Sequence, residues 1–356
     1  MVNREKKSKT MKLPIIISVI FSITIILIIL LLTTDARTFN YLATTPIRYE
    51  FFLMALLLQI FSWFIWGARL KVLSNASDDT VKIGLWESTK IVIANLFLAG
   101  ITPSMAGGEP VRIYLLNKDG LSIGAATASV LGERVLDAIF ILLCVPFAFF
   151  AFSQYIDVGI IQLGLVIGII VFIIGIALFL ITVKYPNKTK SFLILISNKI
   201  SKLFKKKKTK YSVKNKINTE VDNFRKSIIF FVSGEKKIFF IVGSLTIAYW
   251  ATIFMIPSMI LLGLRLEPFF IPSYAAQVLL IVIIMMPTTP GSAGVTEGCI
   301  ACMYGALISS SFLIGVFVLI FRFITFHTNL IVGAIFQYRI FKSVASFSLD
   351  AIKKKK

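Results

Sequence analysis

The chain has 356 residues, 57% of them hydrophobic, including 32 phenylalanines, and a mean hydropathy of +0.87. One water-soluble core cannot bury that much apolar surface, so the composition excludes a soluble globular protein and implies an all-α integral membrane protein. The net charge of +21 does not point to nucleic acid, because the basic residues crowd into the flanks and one loop rather than forming a basic domain.

A spanning helix needs about 20 apolar residues. Such stretches are predicted at 13–32, 50–70, 121–153, 159–183, 238–262 and 312–339. The first is longer than a signal-peptide core and lacks a small-residue cleavage site, so it counts as a helix. The head MVNREKKSKTMK, the loop 184–237 with KKKK at 205–208, and the terminal KKKK at 353–356 are strongly basic. The loops carrying Asp35, Arg37 and Arg48, then 154–157, then Arg265 and Glu267 are poor in positive charge. The positive-inside rule therefore places both termini and the loop 184–237 in the cytoplasm of a multi-pass cell-membrane protein. The chain 1–356 reads as one polytopic membrane domain, with 184–237 a solvated basic loop within it that is attracted to anionic headgroups.

Two further apolar stretches, 86–119 and 273–308, stop at prolines and glycines. Their arms of roughly 15 residues reach about 22 Å, short of a hydrocarbon core of about 30 Å. They are read as two inverted re-entrant helical hairpins, the first entering from the cytoplasm and the second from outside. The alternative is eight spans. Thr102-Pro103-Ser104-Met105-Ala106-Gly107 and Thr289-Pro290-Gly291-Ser292-Ala293-Gly294 share a T-P-x-x-A-G pattern. Glu109 and Glu297 follow, and Arg134 and Arg322 come later at matching spacings. This is the weak internal symmetry of an inverted repeat, whose site is expected near the midplane.

A backbone that breaks helix inside a membrane is tolerated only where protein or a water-filled cavity satisfies its polar groups. Pro103, Gly107, Gly108, Pro290 and Gly294 are therefore expected to line a polar cavity. Pro110 suits the first turn of a new helix, with Glu109 before it in a capping position, so free N–H groups at the starts of both second arms would face an anion. The segment GERVLDAIF places Glu133, Arg134 and Asp137 together, while FRFITFHTN carries Arg322, Thr325, His327 and Asn329. Ionised side chains at such depth need partners or water. One reading has Glu133 or Asp137 neutralising Arg134 and pinning two helices. The other has Arg134 and Arg322 gripping a phosphate by forked hydrogen bonds, with Glu109, Arg112, Glu133, Asp137 and Glu297 completing a substrate-binding set.

The succession NLFLAGITPSMAGGEPVRIYLL, ATASVLGERVLD, MMPTTPGSAGVTEG and FRFITFHTNLIVGA resembles the UPF0104 family, the flippase-like transmembrane region related to lysylphosphatidylglycerol synthases. The resemblance covers nearly the whole chain. It rests on Pro103, Gly107, Glu109, Arg112, Glu133, Arg134, Asp137, Pro290, Gly294 and Glu297. It implies a lipid-translocating membrane domain, which in bifunctional relatives works beside a soluble aminoacyl-transferase domain. The segment after residue 340 is too short for such a domain, so aminoacylation by this chain alone is not expected.

Cys299 and Cys302 have redox spacing but lie in an apolar arm, and are expected to be small, reduced core residues like Cys144. A lone His327 cannot build a histidine metal cluster and is expected to hydrogen-bond a neighbouring helix. No metal, cofactor or ATP-binding loop is indicated. The leading function is a lipid flippase or transporter that moves a phosphate-bearing headgroup, anionic or lipid-linked, between leaflets through a polar groove between the hairpins. The alternatives are a membrane-embedded transferase using Asp35 or Glu50 on a lipid-linked substrate, and a non-catalytic partner of a separate lipid synthase or glycosyltransferase. Membrane lipids are the expected partners.

Overall fold

The computed structural model describes residues 27–78, 81–100, 108–155, 184–203, 236–284 and 294–336, together with a few isolated positions. The described elements are helical. A short helix α1 (Ala36–Thr44) precedes α2 (Tyr49–Ser77), α3 (Leu85–Gly100), α4 (Gly108–Lys118) and α5 (Ile123–Phe152). Then come α6 (Pro186–Leu203), α7 (Lys236–Gly263), α8 (Phe270–Ile284) and α9 (Val295–Leu307). The last is α10 (Ser311–Phe336), which contains a π-helical turn at Phe323–His327.

Among the described residues, four helices are long and apolar enough to cross a membrane: α2, α5 as far as Tyr155, α7 and α10. They coincide with four of the six expected spans. The other two, 13–32 and 159–183, lie largely outside the described residues, as do KKKK 205–208 and the chain after 336. Within the basic loop, 186–203 is a helix rather than irregular chain, and Lys190 pairs with Asp222 at 2.6 Å.

The local sequence sets the helix ends. Asp35 accepts the N–H groups of Arg37 and Thr38 at the start of α1, and Thr38 reaches back to the Asp35 N–H, closing a capping box. Ser122 caps α5 by accepting the Ala125 N–H at 3.1 Å. Gly294 precedes α9 at φ +87°, a conformation that favours glycine. Its N–H donates to the Glu297 carboxylate at 2.7 Å.

Helices α2 to α5 and α7 to α10 repeat the same plan: a long helix, two short arms, a long helix. The counterparts have 29 and 28 residues for α2 and α7, 16 and 15 for α3 and α8, 11 and 13 for α4 and α9, and 30 and 26 for α5 and α10. Packing repeats as well. In the first half α2 lies on α3 and α5, α3 on α4, and α4 on α5; in the second half α7 lies on α8 and α10, α8 on α9, and α9 on α10. Between halves, α5 packs on α8, and its counterpart contact joins α3 to α10 through Phe97, Phe326 and Leu330.

The two halves meet at α2 and α7. Gly263 lies against Phe52 and its carbonyl accepts the Arg48 N–H, while Trp66 meets Tyr249 and Arg69 meets Thr246. Positions rising along α2 therefore face positions falling along α7. Equivalent helices that pack antiparallel relate the halves by a two-fold axis perpendicular to the helices, which is an inverted repeat. The short arms α3, α4, α8 and α9 have lengths of roughly 24, 16, 22 and 20 Å at 1.5 Å per residue, all below the thickness of a hydrocarbon core.

Close approach of α2 to α3 needs Gly67, where an added Cβ would lie 3.0 Å from both Cα and N of Thr89. Gly243 in α7 has nothing within 4 Å of such a Cβ. Gly67→Ala is expected to cost about 1–3 kcal/mol by overpacking against backbone, whereas Gly243→Ala gains roughly 0.5–1 kcal/mol of helix propensity. Thermal unfolding of the two variants in detergent micelles should therefore move in opposite directions.

Candidate functional site

Three arginines and three carboxylates gather where α2, α4, α5 and α7 meet. Arg69 of α2 donates from Nε to Glu133 Oε1 at 2.6 Å. It also holds Asp137 with two nitrogens, Nη1 to Oδ1 at 2.6 Å and Nη2 to Oδ2 at 3.1 Å. Arg112 of α4 donates from Nη1 to the other oxygen of Glu133. Arg134 grips Glu109 through Nε at 3.1 Å and Nη2 at 2.9 Å, and its Nη1 lies 3.5 Å from Asp137 Oδ2. Trp250 of α7 completes the set by donating to Asp137 Oδ1 at 2.9 Å. The charges balance, three against three, in a region where an unpaired ion costs roughly 2.5–3.5 kcal/mol or more.

Of the two carboxylates expected to neutralise Arg134 on its own helix, Asp137 approaches it at 3.5 Å, whereas Glu133 does not pair with it. Both oxygens of Glu133 are taken by Arg69 and Arg112 from neighbouring helices, and Arg134 turns instead to Glu109. Arg69 stands at the end of the predicted 50–70 span, where a charge needs no buried partner. The helix continues for two further turns to Ser77. A signal was present: Gln59, Ser62, Trp66, Arg69 and Leu73 recur at alternating three- and four-residue steps, all buried. That pattern is a polar stripe facing the protein.

The second half carries a smaller counterpart. Arg322 of α10 donates from Nε to Glu297 Oε1 of α9 at 2.9 Å, across the same 25-residue separation that joins Glu109 and Arg134. The other Glu297 oxygen accepts the Gly294 N–H, so that N–H at the start of α9 is engaged by its own helix. The π-turn begins immediately after Arg322, and its looser winding leaves the Arg322 carbonyl to accept from His327 Nδ1 at 3.1 Å. His327 thus bonds within its own helix rather than to a neighbour.

The two charge groups are separate but share α2. Gln59 and Trp63 both donate to Asn329 of α10, at 3.2 and 2.9 Å. One turn later, Trp66 lies under the guanidinium groups of Arg112 and Arg134, at 5.3 and 5.4 Å from its ring centre. Among the described residues, Nε and Nη2 of Arg112, Nη2 of Arg322 and the Trp66 indole nitrogen are buried without a hydrogen-bond partner. Each Arg134 nitrogen has a carboxylate oxygen within 3.5 Å, so the buried guanidinium nitrogens without a partner are those of Arg112 and Arg322.

Of the residues expected to line a cavity, Pro103, Gly107 and Pro290 lie outside the described residues. Gly108 is already the first residue of α4, which puts Glu109 inside the helix rather than in a cap. Gly108 is buried against the Asn95 amide, where any Cβ would collide. The acids considered for transferase chemistry are engaged locally: Asp35 with Arg37 at 2.6 Å, whose guanidinium holds the carboxyl below the usual carboxylate range, and Glu50 with Arg48 at 3.2 Å. Cys144, Cys299 and Cys302 are free thiols, but Cys144 and Cys299 are only half-buried and Cys302 is exposed, so they are not the core residues expected.

Fold and site together define a class: a multi-pass, all-α membrane protein built as a repeat around buried ion pairs. Residues 15–333 match the lysylphosphatidylglycerol synthase TM region, and the chain belongs to that family. It is similar to a UPF0104 membrane protein of Archaeoglobus fulgidus, at 31% identity over 331 residues, covering 92% of this chain and 97% of the relative. It is also similar to a UPF0104 membrane protein of Pyrococcus horikoshii, at 25% identity over 292 residues, covering 78% and 83%. A third relative, from Methanocaldococcus jannaschii, is 32% identical over 188 residues, about half of each chain. No solved structure matches the chain.

Removing Arg69 leaves two buried carboxylates short of their principal donor. Arg69→Met is expected to destabilise by about 3–5 kcal/mol, the cost of breaking a buried pair from one side. The triple variant Arg69→Met, Glu133→Gln, Asp137→Asn should recover part of that loss, because it removes the stranded charges as well. Thermal unfolding in detergent checks both.

Proposed function

We propose that this protein is a lipid flippase that passes a phosphate-bearing headgroup between leaflets along the polar seam of its inverted repeat while the acyl tails stay in the bilayer. In this reading the termini are cytoplasmic and the arms α3–α4 and α8–α9 are re-entrant hairpins, the first open to the cytoplasm and the second to the outside. The observation that carries the reading is the state of Arg112 and Arg322. Both are buried and each is paired to one carboxylate, yet both keep guanidinium N–H groups without a partner among the described residues. Buried donors of this kind cost free energy until an acceptor arrives, and a guanidinium fork matches a phosphate's oxygens. The family's name, a transmembrane region of a lipid synthase, agrees with a lipid headgroup as that acceptor.

The arrangement also suits release. Each arginine already has a carboxylate partner, so a departing phosphate leaves behind a neutral pair rather than a naked charge. Seating is therefore shallow in energy, which a pathway needs if substrate is to leave as readily as it enters.

Purified protein in vesicles containing fluorescent phosphatidylglycerol should exchange that lipid between leaflets. Arg112→Lys and Arg322→Lys keep the charge but lose the fork, and each is expected to slow exchange about 10- to 100-fold, equivalent to the 1.5–3 kcal/mol of a charged hydrogen bond. Unchanged exchange in both, with unchanged thermal stability, contradicts the reading. Orientation is checked separately: in a background without Cys144, Cys299 and Cys302, an impermeant thiol reagent should label Lys118→Cys from the cytoplasmic side and Ser309→Cys from outside.

A further inference from the structure

The inverted repeat makes Glu109–Arg134 and Glu297–Arg322 equivalent. Each joins the first turn of a second arm to the following long helix, each spans 25 residues of sequence, and the closest contact in each is 2.9 Å. Their surroundings are not equivalent. In the first pair the arginine and glutamate side chains are 37% and 29% exposed, whereas in the second they are 6% and 0% exposed. Arg134 and Glu109 are thus part-exposed while holding each other. Arg322 is instead covered by the Phe326 ring, 4.1 Å from its guanidinium carbon.

The helices behind the two arginines differ in the same sense. Arg134 lies in uninterrupted α-helix, whereas the counterpart of that stretch in α10 winds into the π-turn at Phe323–His327. A π-turn holds one more residue than an α-turn, so it sets Arg322 and the residues beyond it in a different register from Arg134 and its successors. One sequence plan therefore exists here in two conformations, one per half. A two-fold relation between halves that occupy different conformations is the static picture of alternating access.

We propose that Glu109–Arg134 and Glu297–Arg322 are the two gates of one pathway and open in alternation, the structure being the state with the first gate open to water and the second shut. This rests on the flippase reading for what travels between the gates, but the alternation itself follows from the repeat. Opening the second gate would separate Arg322 from Phe326, and closing the first would bring the equivalent cover over Arg134.

The test uses the full-length protein, without native cysteines, in phosphatidylglycerol vesicles, with Thr296→Cys as the reporter. Thr296 is buried beside Glu297. Labelling by a water-soluble thiol reagent is expected to be slow. Glu297→Gln keeps the acceptor for the Gly294 N–H but loses the ion pair, and should accelerate labelling at least about tenfold by raising the open population. Arg322→Gln breaks the same pair from the other side and should do likewise, while Glu109→Gln, which weakens the other gate, should leave labelling slow. Equal acceleration by all three, or acceleration by none, overturns the proposal. Thermal unfolding of each variant separates gate opening from loss of fold, because a gate variant labels fast below its unfolding transition. Leaflet exchange on the same vesicles separates the two readings. Exchange without differential labelling rejects the gates alone, and differential labelling without exchange in the parent protein rejects lipid transport and leaves the gates standing.

Discussion

Glu133 can remain ionised between membrane helices only because two arginines from two other helices take its two oxygens. Arg69 anchors it to α2, Arg112 anchors it to α4, and α5 carries Glu133 itself. Three helices with no hydrophobic driving force toward one another in lipid are thereby held at one point. Asp137 extends the same tie to α7 through Trp250. The arrangement of the first half depends on this carboxylate in a way that it does not depend on any single apolar contact, because an apolar side chain can be replaced by lipid and an ion partner cannot.

The inverted repeat explains why charge is found where it is. The halves join along α2 and α7, and the polar stripe of α2 runs through that junction, reaching Asn329 of the second half at one level and Arg112 and Arg134 of the first half a turn away. A two-fold axis places such a stripe near the middle of both halves at once. The halves are not copies in their chemistry: among the described residues, the first holds a six-membered charge cluster, while the second carries the Glu297–Arg322 pair and a separate neutral network of Ser273, Gln277 and Tyr304. The shared element is the glutamate–arginine pair, part-exposed in the first half and buried in the second.

Much of this was legible in the chain before any fold was available. The matching separations of Glu109 from Arg134 and Glu297 from Arg322 marked residues that do meet, because a second arm and the next long helix bring their facing turns together after the same length of chain. The four long helices were legible from their apolar runs. What was not legible was the partner of Glu133. Local spacing favours its neighbour on the same helix, but adjacent helical residues point about 100° apart, so Arg134 faces α4 while Glu133 faces α2. The π-turn has no clear signature in FRFITFH, since one extra residue in a turn is fixed by packing around Arg322 and not by local propensity. Arg69 is hard to recognise because its helix runs two turns past the end of the apolar run, to Ser77.

The central claim is that the buried arginines serve a phosphate in transit rather than packing alone. The most direct measurement compares two lipids with identical tails in vesicles holding the purified protein, one with a phosphodiester headgroup and one with an uncharged sugar in its place. The account expects the phosphate lipid to exchange between leaflets at a protein-dependent rate and the sugar lipid to stay at the rate of protein-free vesicles. Equal protein-dependent exchange of both lipids, or of neither, would contradict it.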